Sequence, residues 1–219
     1  MIEAVIFDMD GLLVDSEPVW REVEVELFNE LGVPLNEQNA AETMGLRADE
    51  VVQYWYQRYP WQTPSTESVT ENLLDRMVEE VSARDIALPG VQKAFEVVEE
   101  AGLPAAIASS SPSRLIYAAI HRLAITDRLQ VIQSAEHEPY GKPHPGVYIK
   151  AAENLGVHPE RCLAFEDSPN GALSAKAAKM KCIAIPEEIA RGHANFSIAD
   201  KVLGSLLEFD ASVLEELSA

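Results

Sequence analysis

Short strand-like runs recur along the chain at residues 4–7, 104–108, 130–133, 162–165 and 182–185. The clearest, Ala4-Val5-Ile6-Phe7, is apolar without interruption, as expected of a strand buried on both faces. Between the later runs the apolar spacing changes to threes and fours, predicting helices over 91–101, 113–123, 145–155 and 169–180. Strand and helix alternating in this way predict an α/β fold with a Rossmann-like parallel sheet. Residues 16–88 break the alternation, with helical periodicity over 20–31, 37–44, 49–59 and 66–81 and no strand. Leu88-Pro89-Gly90 then supplies turn chemistry just before the next helix. The chain thus divides into an α/β core of residues 1–15 and 89–219 and an inserted four-helix cap of residues 16–88. Entering right after the first strand, the insert is expected to sit over the residues that leave it.

Those residues are acids. Side chains two apart point the same way as a strand ends, so Asp8 and Asp10 converge on one volume, and Gly11 lets the backbone turn away. Two outward acids repel, and a divalent cation held by oxygen ligands, Mg²⁺ above all, is the natural compensation. Three more features fall at strand ends or helix starts. Ser109-Ser110-Ser111-Pro112 follows a strand and opens a helix; alone it reads rather as a plain helix cap, while its hydroxyl and N–H groups also fit a phosphate cradle. Lys142, between Gly141 and Pro143, is either a solvated lysine or a fixed cation able to steady a carboxylate and a phosphate together. Glu166 and Asp167 end another apolar run; they fit the metal site begun by Asp8, or acids placed for the dipole of the following helix. Taken together, acid pair, hydroxyl, lysine and acid pair occupy the ligand-binding positions of an open parallel sheet.

The run Asp8-Met9-Asp10-Gly11-Leu12-Leu13-Val14-Asp15-Ser16, with Ser109, Lys142 and Glu166-Asp167, resembles the four motifs of the haloacid dehalogenase superfamily over essentially the whole chain. The resemblance implies a β-phosphoglucomutase-like member with a helical cap of the C1 type. It makes Asp8 the nucleophile that accepts a phosphoryl group, and Asp10 the acid and then the base. Mg²⁺ is held by Asp8, the backbone carbonyl of Asp10 and Asp167, with Glu166 supporting the site. Ser109, the Ser110 N–H and Lys142 bind the transferring group. In the cap, Gly45-Leu46-Arg47 resembles a Gly-x-Arg segment whose arginine, here Arg47, reaches toward a sugar phosphate; an exposed arginine before a helix is the other reading. Trp55-Tyr56-x-Arg58-x-Pro60-Trp61 adds a resemblance to bacterial 2-deoxyglucose-6-phosphate and hexitol phosphatases, although such aromatics more often form the core of a small bundle. The expected activity is therefore hydrolysis of small sugar or sugar-alcohol phosphates through an aspartyl phosphate.

A phosphohexomutase of the β-phosphoglucomutase type is the alternative. Those mutases carry a histidine where this chain has Trp20. Halide removal leaves Asp10 and the metal-binding acids without a purpose, and a binding protein that had lost the chemistry would lack one of these acids or Lys142. One departure from the family pattern is Lys179, where many relatives have glycine; here a lysine favours the helix dipole.

Composition narrows the setting. The 219 residues carry 36 acids against 17 lysines and arginines, a net charge of −19 that argues against nucleic acid or an anionic membrane as partner. Any anionic substrate has to be captured by local positive charge and metal. No apolar run reaches membrane-spanning length, and the N-terminus lacks the cationic lead of a secretion signal. Cys162 and Cys182 each open an apolar run and read as two buried thiols in a reducing cytoplasm. The histidines show no metal-ligand spacing, and His144 reads as a solvated loop residue. Nothing signals an interface, so a monomer is expected.

Overall fold

The computed structural model of the chain describes residues 1–43, 46–186 and 194–218. The chain forms two compact units, Met1–Val14 with Ala87–Ala219, and Asp15–Ile86. Strand β1 (Ala4–Phe7) opens the first. The second follows as α1 (Glu17–Glu30), α2 (Glu37–Ala40), a 3-10 turn at Ala41–Thr43, α3 (Ala48–Arg58) and α4 (Thr66–Ala83). The chain then completes the first unit with α5 (Val91–Glu100), β2 (Ala105–Ser109), α6 (Ser113–Arg122), β3 (Val131–Ser134), α7 (Gly146–Leu155) and β4 (Cys162–Glu166). Helix α8 (Pro169–Ala177), β5 (Lys181–Ala184), β6 (Lys201–Val202) and α9 (Ala211–Ser218) end it. The strands form one parallel sheet in the order β3-β2-β1-β4-β5-β6, the Rossmann-like α/β class read from the sequence.

β1 is central and fully buried, and its alternating side chains feed two different layers. On one face Phe7 stacks on Phe95 and Phe165, with ring centroids 4.8 and 4.9 Å apart, and Phe165 meets Phe209 edge-on at 4.8 Å. On the other, Ala4 and Ile6 join Ala106, Ala108 and Ala164 against Ala151, Ala152, Ala172 and Ala175. Small residues on both sides of that interface let α7 and α8 approach the sheet closely, and they seal Tyr148 of α7 completely. Cys162 and Cys182 are buried and unpaired; burial pushes the Cys162 thiol up to about 12, which leaves it protonated and inert.

The ends of elements differ from the sequence reading for local reasons. α1 starts at Glu17 because Pro18 is accommodated in a first turn. α8 stops at Ala177 instead of continuing to 180. Lys179 takes the left-handed conformation, φ 67°, and its N–H donates to the Lys176 carbonyl while that of Met180 donates to Ala175. This is the Schellman closure usually given to glycine, at a cost of about 1 kcal/mol for a side chain. The lysine therefore makes the tight turn itself rather than avoiding it. β6 and α9 had no reading from the sequence, the first being only two residues long. The expected helix over 37–44 is a single turn of α2 continued as 3-10, with Met44 outside the described residues.

In the helical unit Phe28 of α1 packs against Trp55 and Trp61, with centroids 6.4 and 6.1 Å away. Both tryptophans are buried, so this part of the aromatic run serves as bundle core. Glu24 of α1 is buried beside Phe28's helix face, with the Thr43 hydroxyl donating to it at 3.5 Å. Burial, helped by the charge of Glu17, pushes its carboxyl from 4.5 up to about 8. The folded form therefore holds a proton that the unfolded chain releases above about pH 4.5. That contribution to stability is complete below this pH and is lost as the pH rises through about 8. Glu24→Gln is expected to melt close to wild type at pH 5 and progressively above it toward pH 9, as read by thermal unfolding. A melting-temperature difference independent of pH would contradict a neutral buried carboxyl.

Candidate active site

β1, β2 and β4 are neighbours, and their registers align Phe7 with both Ile107 and Phe165. Asp8, Ser109 and Glu166 therefore emerge together at the carboxyl edge of the sheet. The order of strands reverses there, β2 and β3 lying on one side of β1 and β4 to β6 on the other, the switch point at which open parallel sheets bind ligands. Asp8 is held as though still in the strand, its N–H donating to the Phe165 carbonyl at 3.0 Å.

Lys142, from the loop before α7, has its side chain 8% exposed and its ammonium committed in three directions. It donates to Asp8 Oδ1 at 2.7 Å, Glu166 Oε1 at 2.7 Å and the Ala108 carbonyl at 3.0 Å. Burial works to lower its pKa, and the two carboxylates outweigh that and hold it charged, above its ordinary value. Asp10 turns toward the other side, where Ser111 Oγ donates to its Oδ2 at 2.7 Å and Ser109 Oγ lies 3.4 Å away. Ser109 Oγ also accepts from the Ser111 N–H at 3.0 Å. The Ser111 carbonyl in turn accepts from Ser134 Oγ at 2.6 Å, tying the loop to the end of β3. Ser110 sits half-buried between the two serines.

Glu166 is fully buried and lies directly against the backbone of Gly171 in the first turn of α8. An added Cβ at 171 would fall 1.8 Å from Glu166 Oε2. Its Oε1 accepts from Tyr148 Oη at 2.6 Å as well as from Lys142. Asp167 stands against a second glycine: a Cβ on Gly11, whose φ is 75°, would fall 2.1 Å from Asp167 Oδ2. Both glycines are thus required by close approach of an acid, and Gly11 by its positive φ too.

The site suits a divalent cation. Asp8, Glu166 and Asp167 each offer a carboxylate oxygen, all within 4.8 Å of one another. Burial pushes Asp8 up to about 7 against the pull of Lys142, with Glu166 and Asp10 adding to the rise. Burial, with the charges of Asp8 and Glu166, holds Asp167 well above the usual carboxylate range. Negative charge exceeds what one lysine balances, and the oxygen-only donor set is that of a hard cation such as Mg²⁺.

Of the residues expected from sequence, Asp8, Asp10, Ser109, Lys142, Glu166 and Asp167 gather at this edge. Arg47 belongs to the helical unit, at the start of α3. There it pairs with Asp49, Nη2 to Oδ2 at 2.7 Å, and its N–H donates to Glu50 Oε2 at 3.0 Å. Gly45 of the Gly45-Leu46-Arg47 segment lies outside the described residues. The reading of Ser109–Ser111 as cradle or cap does not single out Ser111 as a partner of Asp10, and the sequence gives no reading of Tyr148. Ser111 shares a face with Ser109 two residues earlier, a signal that was present. Tyr148 is a lone hydroxyl among the small buried residues of α7, and nothing local announces its partner.

A parallel sheet that delivers paired acids, hydroxyls and a buried lysine to one switch point defines a carboxylate-based hydrolase on a Rossmann-like core. The haloacid dehalogenase-like hydrolase family matches residues 2–179. The chain belongs to that family. Hexitol phosphatase B of Escherichia coli (strain K12) is 42% identical over 214 residues, 97% of this chain and 96% of that protein. Phosphorylated carbohydrates phosphatase of Thermotoga maritima is 32% identical over 186 residues, 83% and 84% of the two chains. Among solved structures, CbbY from Rhodobacter sphaeroides in complex with phosphate superposes with a TM-score of 0.87 at 28% identity, covering 98% of this chain and 100% of that one.

Proposed function

We propose that this hydrolase is a Mg²⁺-dependent phosphatase of small sugar or sugar-alcohol phosphates, hexitol phosphates and 2-deoxyglucose 6-phosphate among them. The observation that carries the reading is Lys142 Nζ bridging Asp8 and Glu166 at 2.7 Å each, beside Asp167. It is supported by the hexitol phosphatase and carbohydrate phosphatase relatives. Asp8, Asp167 and the backbone carbonyl of Asp10 would hold the ion, which supplies neutralisation of the nucleophile and of the phosphate oxygens.

A carboxylate oxygen of Asp8 attacks phosphorus, the bond from phosphorus to the sugar oxygen breaks, and an aspartyl phosphate forms. Asp10 gives its proton to the departing alkoxide and then takes one from water, whose oxygen attacks the same phosphorus and frees Asp8 and phosphate. The Ser111 hydroxyl holds Asp10 in place for both transfers. Lys142, Ser109 and the Ser110 N–H meet the charge on the transferring group. The helical segment of residues 16–88 is the cap domain, with Arg47 its candidate substrate-binding residue; the separation of Asp15–Ile86 as a compact unit supports this division. The enzyme works as a monomer in the cytoplasm, a setting that two unpaired buried cysteines favour. No helix among the described residues is long and apolar enough to cross a membrane.

The test is phosphate release from a panel of hexose, pentose and hexitol phosphates, with Mg²⁺ and with EDTA. Release that requires the metal and is strongest on hexitol phosphates or hexose 6-phosphates is expected. A folded protein that releases none, yet isomerises β-glucose 1-phosphate, would be a mutase instead.

A further inference from the structure

We infer that Tyr148 is a positioning residue for phosphoryl transfer, its hydroxyl fixing Glu166 so that Lys142 remains directed at Asp8. The inference rests on the reading of Asp8 as nucleophile. Glu166 Oε1 accepts two donors, Tyr148 Oη at 2.6 Å and Lys142 Nζ at 2.7 Å. The rest of the carboxylate is wedged against the Gly171 backbone, with Ser168 Oγ 3.3 Å from Oε2. Tyr148 itself is fully buried on the small-residue face of the sheet, and the Lys142 ammonium stands 5.0 Å from its ring centroid. The phenol has one proton to give, and Glu166 Oε1 is the acceptor it reaches.

Packing alone does not explain a hydroxyl here, because phenylalanine offers the same ring to the same alanines. The hydroxyl instead divides the charge of Glu166 Oε1 between two donors. Without it that oxygen turns its full charge on Lys142 and draws the ammonium away from Asp8, its other carboxylate partner 2.7 Å away. Glu166 is thus aimed from α7 and from α8 at once, and the tyrosine supplies the part of the constraint that glycine cannot.

The experiment is a double-mutant cycle on kcat and KM with the full chain and the best substrate of the panel. Tyr148→Phe is expected to lower kcat about tenfold, with KM within about twofold and melting close to wild type. In a Glu166→Gln background the same change should cost less than about twofold, because its effect passes through that carboxylate. Equal losses in both backgrounds, or an unchanged kcat in Tyr148→Phe, would overturn the inference. Should Tyr148→Phe not accumulate folded, Tyr148→Met, which also lacks the hydroxyl, carries the same comparison. A wild-type protein inert on the whole panel would sink the phosphatase reading itself, whereas an active wild type with a silent Tyr148→Phe sinks only the positioning role.

Discussion

Asp8→Asn is expected to lose phosphate release by about 10⁴-fold or more while keeping the fold. The amide is nearly isosteric, so the backbone link to Phe165 and the place at the end of β1 survive. Its carbonyl oxygen still accepts from Lys142, but an amide cannot form the acyl phosphate. Stability should move the other way. Burial pushes the Asp8 carboxyl up to about 7, so above that pH the folded, metal-free protein carries a charge that it holds less easily than the unfolded chain does. Removing the charge removes that penalty. Asp8→Asn without metal should therefore melt at or above the wild-type temperature at pH 8, measured by calorimetry beside a phosphate assay. Activity within tenfold of wild type would refute Asp8 as nucleophile. A large drop in melting temperature would show that the Lys142–Asp8 pair holds the fold together rather than serving the chemistry.

That opposition of stability and activity explains which parts of the site the sequence disclosed. Asp8, Asp10, Glu166 and Asp167 are legible because acids following fully apolar strands violate local preference, and such violations mark functional positions. Lys142 is legible by its place between Gly141 and Pro143. The sheet is legible for a related reason: strands buried on both faces read as unbroken apolar runs, as β1 and residues 162–165 of β4 do. Partners that conform to local preference stay hidden. Ser111 looks like any serine before a helix, and Tyr148 like any aromatic on a buried helix face. Only the superposition of α7 on the end of β4 shows that the phenol reaches Glu166 at 2.6 Å. Glu24 is hidden likewise: a glutamate in the middle of α1 has ordinary helix propensity, and its burial is a property of the bundle. Lys179 shows the limit from the other side, since a lysine at a glycine position gives no sign that it will adopt φ 67°.

Gly171→Ala should inactivate the enzyme although neither side chain at 171 touches a reacting atom. Two effects of opposite sign compete. Alanine in place of glycine favours a helix by at most about 1 kcal/mol, less in a first turn such as this. Against that, the new Cβ would lie 1.8–2.0 Å from the whole Glu166 carboxylate, so the acid has to leave its seat. Leaving breaks its hydrogen bonds from Lys142 and Tyr148, each charge-assisted and on the order of 1.5–3 kcal/mol, and strands a buried phenol. The loss exceeds the gain. Lys142 then has one anchor fewer and no longer holds its angle to Asp8, and a misplacement of about 1 Å at a reacting group costs about a hundredfold in rate. A fall in kcat of that size with a lowered melting temperature is the expected result, read from steady-state kinetics and thermal unfolding on one preparation. A variant with wild-type kcat and a raised melting temperature would mean that Glu166 relocates freely, and that Lys142 keeps its aim through Asp8 and the Ala108 carbonyl alone.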